Sequence, residues 1–287
     1  MNFNDILVSG GIEPNSVLLM RHSPKEPELR RVLPWLAEDR HHIYNAYQQT
    51  QSPRTESQML RADYIASFIG TETGRALFVG LYRRGGSRPL NHQAFWTIPE
   101  NKDLHMLGME GHKPSDPDCL WIELQAVETF AHWKGRVVTD FPRDRNWTRW
   151  ADKWPLKLMA IHEHSVLTAE MPSWDRFVVG HGELANLPAR WRAALAEWRG
   201  IYAIIDETDG KLYVGSAYGE QNIYGRWSNY ALTGHGNNAE LVGRDPSRFR
   251  YSILQRLSPD LESSEVIRIE QSWKERLHTR EFGLNRN

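Results

Sequence analysis

The sequence predicts an α+β protein with two regions: a mixed, strand-rich N-terminal region and a last third that runs strand–strand–helix–helix–strand–helix. Three observations carry this. Two apolar runs of β-formers, residues 64–69 and 76–82, bracket the Gly-bounded segment 70–74, which is a hairpin signature. Residues 187–199 form a helix with Pro188 in its first turn and Trp191, Leu195 and Trp198 on one stripe, and this helix delivers the chain into Gly200. Residues 200–206 and 211–216 flank a turn that ends in Asp209-Gly210, where glycine suits the positive φ of a hairpin. The boundaries are therefore 1–185 for the first domain, 186–199 for a linker helix and 200–287 for the second domain.

Composition narrows the class. Of 287 residues, 40% are apolar and 25% charged, which describes a folded globular protein and excludes a disordered chain. The net charge of −1 supplies no global basic field, so any contact with nucleic acid must come from a local patch. The single Cys119 excludes an internal disulfide and a cysteine-based zinc cluster, and reads as an inert thiol in a reducing compartment. The first sixteen residues lack a basic segment followed by a long apolar core, and no stretch reaches the length of a membrane span, so a cytoplasmic protein is expected.

Within the N-terminal region, residues 29–36 have helical spacing and 48–58 are polar. Further strands are expected at 120–127, 135–139 and 156–162, which together suggest a curled antiparallel sheet or small barrel. Seven of the 12 tryptophans fall between Trp96 and Trp174. Trp147, Trp150 and Trp154 stand at helical spacing beside Arg143, Arg145, Arg149 and Lys153. That pattern fits either a packed helix face or a basic, aromatic surface for nucleic acid, with packing the stronger reading. His162 and His164 would share one face of a strand, but no third ligand is near in sequence.

Taken alone, Tyr202 and Tyr213 on neighbouring strands carry little information. The ordered series of residues around and beyond them is more specific. Gly200-Ile201-Tyr202 leads, with Tyr213-Val214-Gly215 placing its tyrosine eleven positions later. Then come Arg226 with Tyr230 one turn on, Gly234-His235-Gly236, a third strand at 249–254, Glu270 on a helix at 265–277, and Gly283-Leu284-Asn285. This train resembles the GIY-YIG nuclease family over essentially the whole last third of the chain.

The resemblance implies a small domain with a three-stranded antiparallel sheet flanked by helices, and a divalent-metal-dependent DNA phosphodiesterase. It implies one ion, Mg²⁺ or Mn²⁺, at Glu270, because a hard cation keeps several waters and needs few protein oxygens. Arg226 matches the catalytic arginine, whose fork suits phosphate oxygens. Tyr202 is the candidate for activating water and Tyr213 for orienting the nucleophile or phosphate, with Tyr230 a second candidate for proton handling. A phenol near pKa 10 is a poor base at neutral pH, so which tyrosine acts stays open. Gly200 and Gly215 allow close backbone approach, and Asn285 ties the chain end to the site. Lys211, His235 and Lys274, with the basic cluster Arg244, Arg248 and Arg250, are candidate contacts to the DNA backbone.

The leading expectation is therefore a DNA endonuclease of restriction or phage defence, with residues 1–185 choosing the substrate, including modified bases; a protein-binding or autoinhibitory domain is the other reading of those residues. A structure-specific repair nuclease and an inactive DNA-binding sensor are the alternatives. Symmetric double-strand cutting by a single-site domain calls for a homodimer on DNA.

Overall fold

A computed structural model describes residues 1–71, 74–142 and 146–286. It divides into two compact units, Met1–Ala169 and Glu170–Asn287.

In the first unit, helix α1 (Phe3–Ser9) is capped by Asn2, whose side chain accepts from the Asn4 amide. Strand β1 (Val17–His22) follows, then α2 (Pro27–Asp39), α3 (His41–Gln49) and α4 (Pro53–Met59), then β2 (Tyr64–Gly70) and β3 (Arg75–Leu90). Helices α5 (His92–Thr97) and α6 (Pro99–Met106) precede β4 (Cys119–Ala126), β5 (Val137–Asp140), β6 (Thr148–Trp150) and β7 (Leu158–Ile161). The sheet runs β6-β1-β2-β3-β5-β7, with β4 also on β3. It is mixed, because β1 pairs with β2 in parallel through the long α2–α4 crossover. All six residues of β1 are buried, as expected for a strand covered on both faces. The sixteen-residue β3 pairs with β2, β5 and β4 in succession and shifts register at Arg84/Ser87, which is how one strand serves a curled sheet. Phe3, Phe68, Phe78 and Phe141 pack ring to ring at the centre of its core, with centroids 5.0–5.8 Å apart.

One expectation for this unit needs correction. Trp147 and Trp150 do not lie on a helix: Trp150 ends β6, which pairs antiparallel with β1, and Trp147 just precedes it, so the i, i+3 spacing is a coincidence of a short edge strand. Its Arg149 is buried and lies 4.0 Å from the ring centre of the half-exposed Trp154. Arg143 and Arg145, and Glu72 and Thr73 of the expected hairpin turn, lie outside the described residues. His162 and His164 are exposed beyond the end of β7, and among the described residues no cluster of three His, Cys, Asp or Glu could hold a metal. No helix is long and apolar enough to cross a membrane, among the described residues.

The second unit starts earlier than residue 186. Strand β8 (Val178–Gly180) pairs with β11 (Phe249–Leu257) at Arg250 and Gly180, making the sheet four-stranded, in the order β10-β9-β11-β8, rather than three-stranded. Three residues, two of them valine and one glycine, are too short for a periodic signal in sequence. Helices α7 (His181–Leu184) and α8 (Ala189–Glu197) follow β8. The hairpin of β9 (Arg199–Asp206) and β10 (Leu212–Ala217) pairs as the Asp-Gly turn requires, and Gly210 has φ +74°. Helix α9 (Asn222–Thr233) and helix α10 (Ser263–Arg276) complete the unit. Phe177, Trp191 and Trp227 stack near its centre.

Because β8 and the buried Phe177, Val179, Leu184 and Leu187 belong to the second unit, a fragment beginning at Glu170 should unfold at higher urea than one beginning at Arg199. Equal denaturation midpoints would show that β8 adds nothing to the unit.

Candidate functional site

Strand β9 carries Tyr202 inward, fully buried, directly opposite Gly215 of β10. A methyl group at Gly215 would stand 2.5 Å from the Tyr202 hydroxyl oxygen, so the missing side chain is what lets the phenol lie across the neighbouring strand. Gly200 acts similarly two residues earlier on β9: a Cβ there would meet Ile223 of α9 at 2.7 Å, so the glycine lets that helix close on the sheet.

Helix α9 supplies the next layer. Arg226 donates from Nε to the Tyr202 hydroxyl at 3.1 Å, and the Tyr202 and Tyr230 hydroxyls lie 3.1 Å apart. The Arg226 guanidinium also lies 5.2 Å from the Tyr230 ring centre. Behind them Trp227 and Tyr251 close the aromatic layer, with Tyr251 bonded through its hydroxyl to His181 at 3.1 Å. Gly236, in the left-handed region at φ +56°, abuts the Tyr230 ring from the other side, where a Cβ would come within 2.4 Å.

Burial dominates the electrostatics here. It pushes the Tyr202 phenol above the ordinary tyrosine value, aided by the nearby Tyr213, and Arg226 only partly offsets this. Burial pushes Tyr230 and Tyr251 up as well. Burial works against charge on Arg226, but the phenol oxygens of Tyr202, Tyr230 and Tyr213 outweigh it and hold its pKa above the usual value. The expected water activator, Tyr202, is thus a sealed neutral phenol, and the reason is that Gly215 and Arg226 enclose it. Tyr213, in contrast, is half-buried and lines open space.

That space is a cleft of about 490 Å³ whose walls include Tyr213, Ser216, Glu220, Arg226, Asn229 and Glu270. Glu270 reaches it from α10. Its carboxylate is held from two sides: the buried Lys274, one turn on, pairs with Oε1 at 2.6 Å, and the Ser216 hydroxyl donates to Oε2. Lys274 is therefore an internal counter-charge at 1% exposure, which corrects its assignment as a contact to the DNA backbone.

The remaining expected residues are dispersed. Asn285 accepts from the Val214 amide and donates to its carbonyl, both at 2.9 Å, pinning the Gly-Leu-Asn segment to β10. His235 accepts from the Asn237 amide at 3.1 Å and shapes the loop after α9. Arg244 is engaged by Asp206 at 2.6 Å and by Asp209, and Arg250 by Glu207. Lys211 stands on the hairpin turn, 4.0 Å from Asp209. Arg248 is exposed. The three arginines are thus no shared phosphate patch, since two of them are spent on carboxylates that face them across the hairpin.

Several cleft residues, Ser216, Glu220 and Asn229 among them, were not assigned to the site from sequence. Asn229 sits three positions after Arg226 on the same helix face, and that spacing could have found it. Ser216 directly follows Gly215 and could have been taken with it. Glu220 lies in the loop entering α9, and nothing in the sequence marks it.

Residues 199–285 match the family model of the GIY-YIG catalytic domain. Two solved structures are similar: a mutant form of the catalytic domain of intron endonuclease I-TevI, at 25% identity over 31% of this chain and 94% of that one, TM-score 0.27, and the catalytic domain of homing endonuclease I-TevI, at 27% identity over 30% of this chain and 96% of that one, TM-score 0.26. No curated protein matches the sequence. The last third of the chain is a GIY-YIG catalytic domain, and no family is assigned to the rest.

A folded phenol whose pKa lies above the unfolded value near 10 contributes stability that is complete below pH 10 and is lost as pH rises beyond it. In a spectrophotometric titration, Tyr202→Phe should leave the phenolate absorbance that appears near pH 10 in the folded protein unchanged in amplitude. If the variant lacks one tyrosine's worth of that signal, Tyr202 is open to ionisation after all.

Proposed function

We propose that this protein is a divalent-metal-dependent DNA endonuclease that hydrolyses phosphodiester bonds at the cleft of Tyr213, Arg226 and Glu270. The observation that carries this is the convergence of those three side chains from β10, α9 and α10 on one cleft, within the segment that matches a catalytic domain.

The residues fit a hard divalent cation. Glu270 offers a fixed carboxylate on a wall that also holds the Ser216 hydroxyl, and the cleft has room for the waters such an ion retains. Mg²⁺ or Mn²⁺ would be held by Glu270, and when bound it supplies positive charge to the phosphoryl oxygens and the leaving oxygen. Everything else falls to the chain's own groups. Only Nε of Arg226 is engaged among the described hydrogen bonds, which leaves the two terminal nitrogens of a planar fork for phosphate oxygens. Tyr202 and Tyr230 keep that fork from turning, so its charge is already aimed where the pentacovalent phosphorus gains negative charge. A water in the cleft forms the new bond to phosphorus while the bond to one bridging oxygen breaks, leaving one phosphate end and one hydroxyl end. Of the three phenols near Arg226, Tyr213 is the one that faces the cleft and can orient that water and relay its proton.

Restriction or phage defence is the setting this reading assigns, with the first unit selecting the DNA, modified bases included. A division of labour is supported by the pairing of Arg244 and Arg250 with carboxylates, which withdraws both from non-specific affinity for DNA. Cutting both strands calls for two copies meeting on the DNA.

Cleavage of plasmid and of a panel of unmodified and base-modified phage DNAs tests the activity. Glu270→Ala and Arg226→Ala should each lower the rate by at least about a hundredfold, and chelation should abolish cutting that added Mg²⁺ or Mn²⁺ restores. Glu270→Ala cutting at the wild-type rate would sink the metal assignment.

Residues 1–169 alone should retard DNA in a gel, with affinity that falls as salt rises. A folded fragment with no affinity for any DNA of that panel would assign this unit to a protein partner instead.

A further inference from the structure

Tyr213 and Arg226 border two clefts at once. The first contains Glu270. The second, of about 380 Å³, lies on the other side of the same two residues and is walled by Asn237, Asn238, Glu240 and Arg286. Its volume falls in the range of roughly 300–1,000 Å³ occupied by small-molecule sites.

This second cleft is built, not incidental. Gly234, Gly236 and Asn237 all hold positive φ, and the Thr233 hydroxyl accepts from the Gly236 amide at 2.7 Å. Asn238 accepts from the Glu240 amide at 2.9 Å, and the Asn238 amide donates to the His235 carbonyl at 2.8 Å. The loop is therefore fixed by its own backbone, by Thr233, His235 and Asn238. The Asn237 side chain takes no part in this and is exposed, with no hydrogen bond among the described residues. Across the cleft, the Leu284 amide bonds to the Leu212 carbonyl at 2.8 Å, and Asn285 locks onto Val214, so the chain end forms a firm wall with the buried Leu284 at its base. Arg286 projects from that wall and is steadied by Glu240 at 2.9 Å while remaining three-quarters exposed.

We propose that the second cleft is a nucleotide subsite that reads the base next to the bond being cut. The inference rests on the nuclease reading above. With the scissile phosphate on Arg226, the backbone runs from the Glu270 side over Arg226 and Tyr213, and the next nucleotide enters the second cleft. There the Asn237 amide, a donor and acceptor pair, meets a base edge. The buried Leu284 closes the base of that cleft, and Arg286, paired with Glu240 through two nitrogens, holds its rim. A carboxamide discriminates between base edges because each presents its own order of donors and acceptors. Asn237 does not touch the first cleft, so it bears on which phosphate is presented and leaves the reacting atoms alone.

The test is to cut the same DNA panel with the full chain and sequence the ends, scoring base frequencies at the positions beside each cut. Asn237→Gly is the informative variant, because glycine keeps the left-handed backbone that alanine would strain. Wild type should prefer certain bases at one flanking position, and Asn237→Gly should flatten the ratio of best to worst base there by about tenfold. A wild type that cuts with a flanking preference that Asn237→Gly leaves intact overturns the subsite alone, as does a wild type that cuts with no flanking preference. A wild type that cuts nothing in the panel overturns the nuclease reading, and the subsite with it.

Discussion

The hydrogen bond from Arg226 to the buried Tyr202 hydroxyl is the constraint on which the second unit depends. A guanidinium at the edge of a cleft is a flexible side chain with several rotamers. Here one of its nitrogens is spent on a phenol that cannot move, because Gly215 lies beneath it, Trp227 stands edge-on to it and Tyr230 is in hydrogen-bond contact. The rest of the unit serves that arrangement. The β9–β10 hairpin sets the opposed pair, α9 delivers the arginine and Tyr230 one turn apart, and β11 adds Tyr251 behind them. The cost of burying three phenols is met by hydrogen bonding them to one another, to Arg226 and to His181.

Much of this was legible in the sequence, and the limits are instructive. The hairpin follows from β-branched residues around Asp-Gly, and helices α9 and α10 follow from their spacing. What sequence could not show is which side of a tyrosine faces solvent. Tyr202 and Tyr213 read alike as strand tyrosines, yet one is sealed and the other lines the cleft, because only the first lies opposite a glycine. Charge misled in a related way. Arg244, Arg248 and Arg250 read as a cluster by proximity in the chain, but Asp206, Asp209 and Glu207 on the hairpin lie against two of them. Lys274 read as a surface amine, although its spacing of four from Glu270 on one helix already places the two together.

The first unit was read less well for physical reasons. Its β1–β2 pairing is parallel, and a parallel pair is joined by a long crossover, here three helices that separate partners about fifty residues apart in sequence. Local alternation does not reveal such a partner. His22, at the end of β1, shows how strongly that environment acts: buried among Tyr44, Tyr47 and Trp147, it has its pKa lowered by desolvation to about 4 and stays neutral.

Gly215 and Gly236 press on two different phenols, one against Tyr202 and the other against Tyr230, each leaving no room for a further carbon. They are moulds of the rings they face. In evolutionary terms these are two separate pairs: a larger residue at 215 meets the rings of both Tyr202 and Tyr213, and one at 236 meets the Tyr230 ring and a left-handed backbone besides. Among relatives of this chain, then, substitution at 215 should travel with substitution at 202, and substitution at 236 with substitution at 230.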